Sequence, residues 1–215
     1  MCWGQPLRPF HPAHALFLSV ALLFSGAAHA GDAAPETISA GKILRGHFVQ
    51  ERKLSGFANA LHTEGEFVLV PGTGLIWRAQ KPFANTTVIT PDGILQYVNG
   101  SEAMRLTAAK VPGLSHLYDV LDAAVSGNIA PLRRAFSVSQ SSGADTWRLV
   151  LTPLDPGKAA AAALKSVTLT GNRFVDTAEV DEGGGDVDRM TFLDQNIASA
   201  DLSAGDKALL GALHK

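Results

Sequence analysis

The sequence has 215 residues, of which 46% are hydrophobic and 18% are charged, and its formal net charge is −2. A chain of this length can bury a core of its own, and it has no basic block that would follow the phosphates of a nucleic acid. These features exclude nucleic acid as a partner and predict a single globular domain.

Residues 1–30 predict a secretory signal peptide. Their apolar run, Ala15 to Phe24, has ten residues, and Ala28-His29-Ala30 supplies small residues at a cleavage site. Ten residues are too few to span a membrane. Cleavage would leave residues 31–215 as one domain with 17 basic and 20 acidic residues, and it would remove Cys2, the only cysteine. We therefore expect a soluble periplasmic monomer without disulfides or membrane spans.

The stretch 64–98 predicts a meander of antiparallel strands. A strand over Ile43 to Leu54 precedes it, and within it four short apolar runs are separated by Pro, Gly and Asn turns such as Asp92-Gly93. Both faces of these strands are apolar, since Phe67 and Leu69 share one face while Val68 and Val70 share the other. A sheet with one wetted face should alternate apolar and polar residues. Both faces therefore need cover, one by an ordinary core and the other by a second core or an apolar guest.

A helical insert follows the meander and a weaker strand over Ala103 to Thr107. From Pro112 to Ser126 the apolar residues recur at steps of three and four, which is typical of an amphipathic helix. A second short helix is predicted over Ile129 to Ala135. Because the insert lies between two sets of strands, it is well placed to cover a sheet face.

After the insert, apolar and polar residues again alternate with a period of two, which predicts five further strands between residues 136 and 192. Ser203 predicts the N-cap of a C-terminal helix over Ala204 to Leu213. The count of ten or eleven strands with three helices predicts an α+β domain built on a large antiparallel sheet.

Four motifs of this chain resemble those of the LolA-like periplasmic lipoprotein carrier family, in a divergent branch. The matching residues are Gly46-His47-Phe48-Val49-Gln50, Gly65-Glu66-Phe67, Gly74-Leu75-Ile76-Trp77-Arg78 with Pro82, and Ile89-Thr90-Pro91-Asp92-Gly93. The order of elements agrees with the family over most of residues 43–195.

The resemblance implies a strongly curved, open sheet, a half-barrel, with the inserted helices as a lid over an apolar cavity for acyl chains. It also implies partners: a lipoprotein or other acyl-lipid cargo, an inner-membrane exporter that supplies it and an outer-membrane receptor that accepts it. In one respect the chain departs from the family. Where members often carry an arginine that ties the lid to the sheet, this chain has Val70 before Pro71.

The predicted site residues are apolar. They form two sets, one for the acyl cavity and one for the lid, and for each set the alternative is ordinary core. The cavity candidates are Phe48, Phe67, Leu69, Leu75, Trp77, Leu95 and Tyr97, and the lid candidates are Leu114, Leu117, Tyr118 and Leu121.

Catalytic chemistry has little support in the sequence. No nucleophile elbow, zinc-protease or phosphate-loop motif is present, and the histidines are scattered. The acidic stretch Asp181 to Asp188 lacks the spacing of a calcium loop and predicts a solvated hairpin turn. We expect no catalytic residue, metal or cofactor. The leading hypothesis is a periplasmic lipid carrier, and the alternatives are an envelope interaction or sensor module with a filled cavity and, less favoured, a lipid-acting enzyme.

Overall fold

The computed structural model describes residues 34–111, 114–155, 164–198 and 201–213, without the side chains of residues 114–117. The predicted signal peptide and the alanine-rich stretch at 158–163 lie outside the described residues. None of the described helices has the length and apolarity that crossing a membrane requires.

Eleven antiparallel strands form one open sheet, in the order β6-β5-β4-β3-β2-β1-β11-β10-β9-β8-β7. Hairpins join the neighbours on each side, while β1 and β11 bring the two halves together. The strands are β1 Ile43–Lys53, β2 Leu61–Val70, β3 Gly74–Lys81, β4 Asn85–Thr90, β5 Gly93–Val98, β6 Ser101–Thr107, β7 Phe136–Ser142, β8 Trp147–Pro153, β9 Ser166–Gly171, β10 Val175–Asp181 and β11 Val187–Ala198.

The turns follow from their residues. Gly93 has φ +153°, and a side chain there would collide with the carbonyl oxygen of Leu106 on the neighbouring strand, so only glycine fits this close approach. Gly93 therefore permits both the β4–β5 turn and the close approach of β5 to β6.

Both faces of the sheet are covered, as the apolar alternation predicts. The inner face, as we call it, carries the larger core cluster together with helix α1, Leu114–Ser126, and the 3-10 turn Pro131–Arg134. The outer face carries a smaller cluster under helix α2, Ala204–Leu210, which continues as the 3-10 turn Gly211–Leu213. The fold is thus an α+β domain on a curved, open antiparallel sheet.

One predicted helix is shorter than expected, and the segment before β1 is buried. The second inserted helix is only a 3-10 turn, because its single turn ends at Ala135, whose N–H bonds the carbonyl of Leu132. Residues 34–39 form no helix; the Ile38 side chain is buried in the inner core, and its N–H donates to the carbonyl of Ser126 at 2.9 Å. The segment before β1 therefore packs against the end of α1.

Candidate functional site

Four aromatic rings on adjacent strands form the centre of the inner face. Phe192 of β11, Phe48 of β1, Phe67 of β2 and Trp77 of β3 stand side by side, with ring centroids 4.0 to 6.0 Å apart. The two benzyl rings of Phe48 and Phe67 are 1% exposed, whereas Trp77 is only partly buried. Trp77 is therefore the aromatic member of the cluster most open to a guest.

A row of apolar side chains continues the inner face toward the β6 edge. The strand register aligns Leu75 with Ile89, Ile89 with Ile94, and Ile94 with Leu106. Cross-strand partners share a face, so these four side chains lie on the same side as Trp77. Leu75 is buried and the other three are partly exposed. The row extends the apolar surface from the rings to the edge strand.

The predicted cavity residues divide between the two faces. Phe48, Phe67, Leu69, Leu75 and Trp77 come together in the inner cluster. The two remaining candidates lie in the outer cluster, where Leu95 is buried and Tyr97 packs against it.

The register explains this division. Leu95 pairs with Val88, which pairs with Ile76, which pairs with Val68, and the whole row faces α2. The alternation within β5 alone does not show whether Ile94 or Leu95 lies on the inner face, because both are apolar. The hairpin at Asp92-Gly93 carried the missing signal, because it pairs Thr90 with Gly93 and so places Ile94 opposite Ile89.

Helix α1 covers the inner face with small apolar side chains. Ala123 and Val125 are buried in the inner cluster, and Val120 packs against it. Of the predicted lid residues, Tyr118 is 3% exposed and Leu121 is partly exposed, while the side chains of Leu114 and Leu117 lie outside the described residues. Val125 belongs to the apolar spacing that predicts α1, whereas Ala123 is too small to mark that spacing, and neither is among the predicted lid residues.

One carboxylate ties α1 to the β2–β3 turn. Asp122 Oδ1 accepts hydrogen bonds from the Gly72 N–H and the Tyr118 hydroxyl, both at 3.1 Å. This contact, which we call the Asp122 latch, reaches the same turn at which the family arginine is missing. It depends on the approach of α1 to a turn 50 residues away, and the sequence alone gives no sign of it.

Burial dominates the electrostatics of the Asp122 latch. Desolvation raises the pKa of Asp122, and the nearby Asp119 charge adds to the rise, while the hydrogen bonds from Gly72 and Tyr118 oppose it. Burial, followed by the Asp122 charge, raises the pKa of Tyr118. The phenol therefore stays protonated and remains a donor to the carboxylate.

A second carboxylate anchors α2 to the outer face. Asp206, which is 4% exposed, pairs with Arg45 at 3.3 Å and with Arg78, and Arg78 also reaches Glu66 at 3.5 Å. Burial alone would raise the pKa of Asp206, but the hydrogen bonds from Arg78 and Ser203 and the charge of Arg78 outweigh it and lower the pKa. The helix that covers the outer face is therefore fixed by charge as well as by apolar contact.

Metal ligands do not converge anywhere in the described part of the chain, where no three His, Cys, Asp or Glu side chains could hold an ion together. Two open pockets of about 440 and 760 Å³ are present there, one beside the β7–β8 hairpin and one between α2 and strands β3 to β5. Neither is lined by the four inner aromatic rings. On the inner face, Phe48 and Phe67 are packed beneath α1, while Trp77 and Ile89 remain partly exposed.

Comparison with solved structures finds similar chains at low identity. A LolA superfamily protein from Nitrosomonas europaea is 12% identical with TM-score 0.42, over 80% of this chain and 91% of that one. A putative outer membrane lipoprotein-sorting protein domain from Vibrio parahaemolyticus is 10% identical with TM-score 0.38, over 78% and 91%. The Pseudomonas aeruginosa MucA/MucB complex gives 16% and 0.39, over 80% of this chain and 57% of the longer one.

A search of curated proteins finds no match. The family model described as "Outer membrane lipoprotein carrier protein LolA-like" matches residues 27–210, which is most of the sequence. That description names a carrier, which is a binding function and not a catalytic one. The chain therefore belongs to the LolA-like family.

Proposed function

We propose that the protein is a periplasmic carrier that binds the acyl chains of lipoproteins or related lipids on its inner face. In this role it would collect cargo from an inner-membrane exporter and deliver it to an outer-membrane receptor, without chemistry of its own. The observation that supports this most is the continuous apolar inner face, from the aromatic rings through Trp77 to the Ile89 and Ile94 row, beneath a helix with a polar tie.

Burial of an acyl chain supplies enough free energy for such a carrier. Each methylene taken from water contributes about 0.8 kcal/mol, so a chain of about twelve carbons offers roughly 10 kcal/mol before the entropy costs of binding. A carrier must also release its guest. A lid that opens at the receiver weakens binding by changing the populations of open and closed states.

The lid must move for a guest to enter. Phe48, Phe67 and Leu69 are at most 1% exposed, because α1 and the two halves of the sheet close over them. An acyl chain would therefore displace Ala123 and Val125 of α1 from these rings. The Asp122 latch opposes that movement, because its hydrogen bond from the Gly72 N–H joins α1 to the β2–β3 turn. The bond from Tyr118 lies within α1 and orients the carboxylate.

Substitution of Asp122 tests the proposal. D122A removes both latch hydrogen bonds, so we expect faster and tighter uptake of a fluorescent acyl probe, by about threefold or more in apparent affinity. D122N keeps an amide oxygen that accepts from Gly72 and Tyr118, so it should bind like the wild type. Stopped-flow fluorescence and equilibrium titration measure both. If no variant binds the probe, and native mass spectrometry of the purified protein finds no acyl ligand, the carrier proposal is wrong.

One observation favours a second candidate, an interaction or sensor module with a filled interior. The near-complete burial of Phe48, Phe67, Leu69 and Leu75 is what a permanently closed core would show. Such a module would bind an envelope protein with α1 in place. The same titration separates the two candidates, because a filled module binds no acyl probe in either the D122A variant or the wild type.

A further inference from the structure

The inner face changes from apolar to polar side chains toward one end of the β1–β11 pair. Gln50 and Arg52 follow Phe48 on the same side of β1, and Asp188 precedes Phe192 on the same side of β11, where it pairs with Arg52 in the strand register. Asp188 lies four positions before Phe192 along the strand, a distance of about 13 Å. An apolar surface therefore leads directly to a polar end, which is the layout of an acyl chain and its head group.

Asp188 has one oxygen satisfied and one not. Its Oδ2 accepts from Gln50 Nε2 at 2.7 Å, while its Oδ1 is buried and has no hydrogen-bond partner among the described residues. Arg52, which faces Asp188 in the strand register, does not supply one, because its guanidinium donates to both oxygens of Glu182 at 3.2 and 3.4 Å. The strand thus holds a buried acceptor that has no hydrogen-bond partner among the described residues.

Keeping such an acceptor is costly for the fold. Desolvation raises the pKa of Asp188, and the Glu182 charge adds to the rise against the opposing effects of Gln50 and Arg52. A buried polar group without a partner generally destabilises a protein, and an apolar residue of similar size would avoid this. A ligand that donates to Oδ1 would satisfy the group.

We propose that Gln50, Arg52 and Asp188 form a head-group site that takes a hydroxyl donor of an acyl lipid, with Asp188 Oδ1 as the acceptor. This inference rests on the proposed acyl binding. A hydroxyl donates without bringing a charge. A carboxylate head would be repelled by Asp188 and Glu182.

Three probes with the same twelve-carbon chain test the site: monolaurin with hydroxyls, methyl laurate without a donor, and laurate with a carboxylate. Each displaces a fluorescent acyl probe from the full chain at neutral pH. A hydrogen bond to a charged group predicts that monolaurin binds about tenfold or more tightly than methyl laurate. Laurate should bind more weakly than monolaurin.

The D188N variant should remove this preference. With its amide oxygen accepting from Gln50, its NH₂ group lies at the position of Oδ1 and cannot accept, so the ratio between monolaurin and methyl laurate should fall to near one. The matched control is D194N, on the same strand, where the side chain is 81% exposed and φ is +51°, a conformation that asparagine tolerates. D194N should keep the preference.

Thermal unfolding of both variants confirms that they fold, and D188L provides a second variant without an acceptor. If the wild type binds all three probes equally, or D188N and D188L keep the preference for monolaurin, the head-group site is wrong while acyl binding stands. If no probe displaces the fluorescent chain, the head-group site and the carrier proposal both fail.

Discussion

Asp206 shows how single residues set the stability of this fold. Its buried carboxylate joins Arg45 of β1 to Arg78 of β3 from the first turn of α2. Because both arginines are partly exposed, solvent screens part of the attraction, and the hydrogen bonds account for most of the gain. Loss of the carboxylate would leave two guanidinium groups close together beneath α2.

We expect D206N to lower the free energy of unfolding at neutral pH by about 1.5 to 3 kcal/mol. The pKa of Asp206 is lowered in the folded state, so its contribution is present above the unfolded value of about 3.9 and is lost as the pH falls through the folded pKa. The difference between D206N and the wild type should therefore shrink in acid. Urea unfolding across pH measures it. E66Q removes the charge of a 43% exposed partner of Arg78, so it should lower the free energy of unfolding far less. An equal loss in E66Q and D206N would contradict the role assigned to Asp206.

Residues with local roles could be predicted from the sequence, and residues with distant partners could not. Ser203 caps α2 as expected, accepting from the Asp206 N–H, and Trp147, Leu149 and Leu151 share one buried face as their alternation indicates. Asp188 was read as part of a solvated acidic turn. It also belongs to the last predicted strand and lies on β11, but its partner Gln50, 138 residues away, could not be predicted from the sequence.

At the scale of elements, α2 defines which face of the meander is structural. Leu210 is 4% exposed in the outer cluster, and the backbone of β3 comes so close that a side chain at Gly74 would lie 2.7 Å from Leu210 Cδ2. Glycine at the start of β3 thus lets α2 seat on the strand. The helix thereby covers the apolar row of the outer face that contains Ile76, Val88 and Leu95.

L210A should destabilise the protein without changing acyl binding. Truncation of a buried leucine costs about 2 to 5 kcal/mol, and the cavity lies on the face opposite the rings. Chemical unfolding should show this loss, and the affinity for a fluorescent acyl probe should stay within twofold. L209A, at a partly exposed position of the same helix, is the control with a smaller loss. Weaker acyl binding in L210A would place the guest on the outer face.

The elements themselves were largely predictable, because their patterns are local. The apolar spacing over residues 112–126 predicted α1, and the short β-branched runs predicted the strands. The division of faces was harder, since alternation within a strand says which residues share a side but not which side. Register through the Asp92-Gly93 turn resolves it, and that turn joins Ile89 to Ile94 instead of Leu95.

At the scale of the whole molecule, the sheet carries two cores with different covers. A capped helix with a buried ion pair closes one, and a helix with small apolar residues and the Asp122 latch closes the other. This asymmetry suits the proposed carrier, in which α2 would stabilise the fold while α1 opens for the guest. The central claim is that acyl chains bind on the inner face beside Trp77.

Tryptophan quenching tests this claim directly. Trp77 is partly exposed on the inner face, whereas Trp147 is 1% exposed and its Nε1 donates to the Asn172 carbonyl at 2.7 Å. The reference protein is W3F, whose tryptophans are Trp77 and Trp147. A lipid that is brominated along its acyl chain should quench the tryptophan fluorescence of this protein. In a W77F variant, which retains only Trp147, that quenching should disappear while an unlabelled probe still binds. Equal quenching with and without Trp77, or no quenching in either protein, would contradict the account.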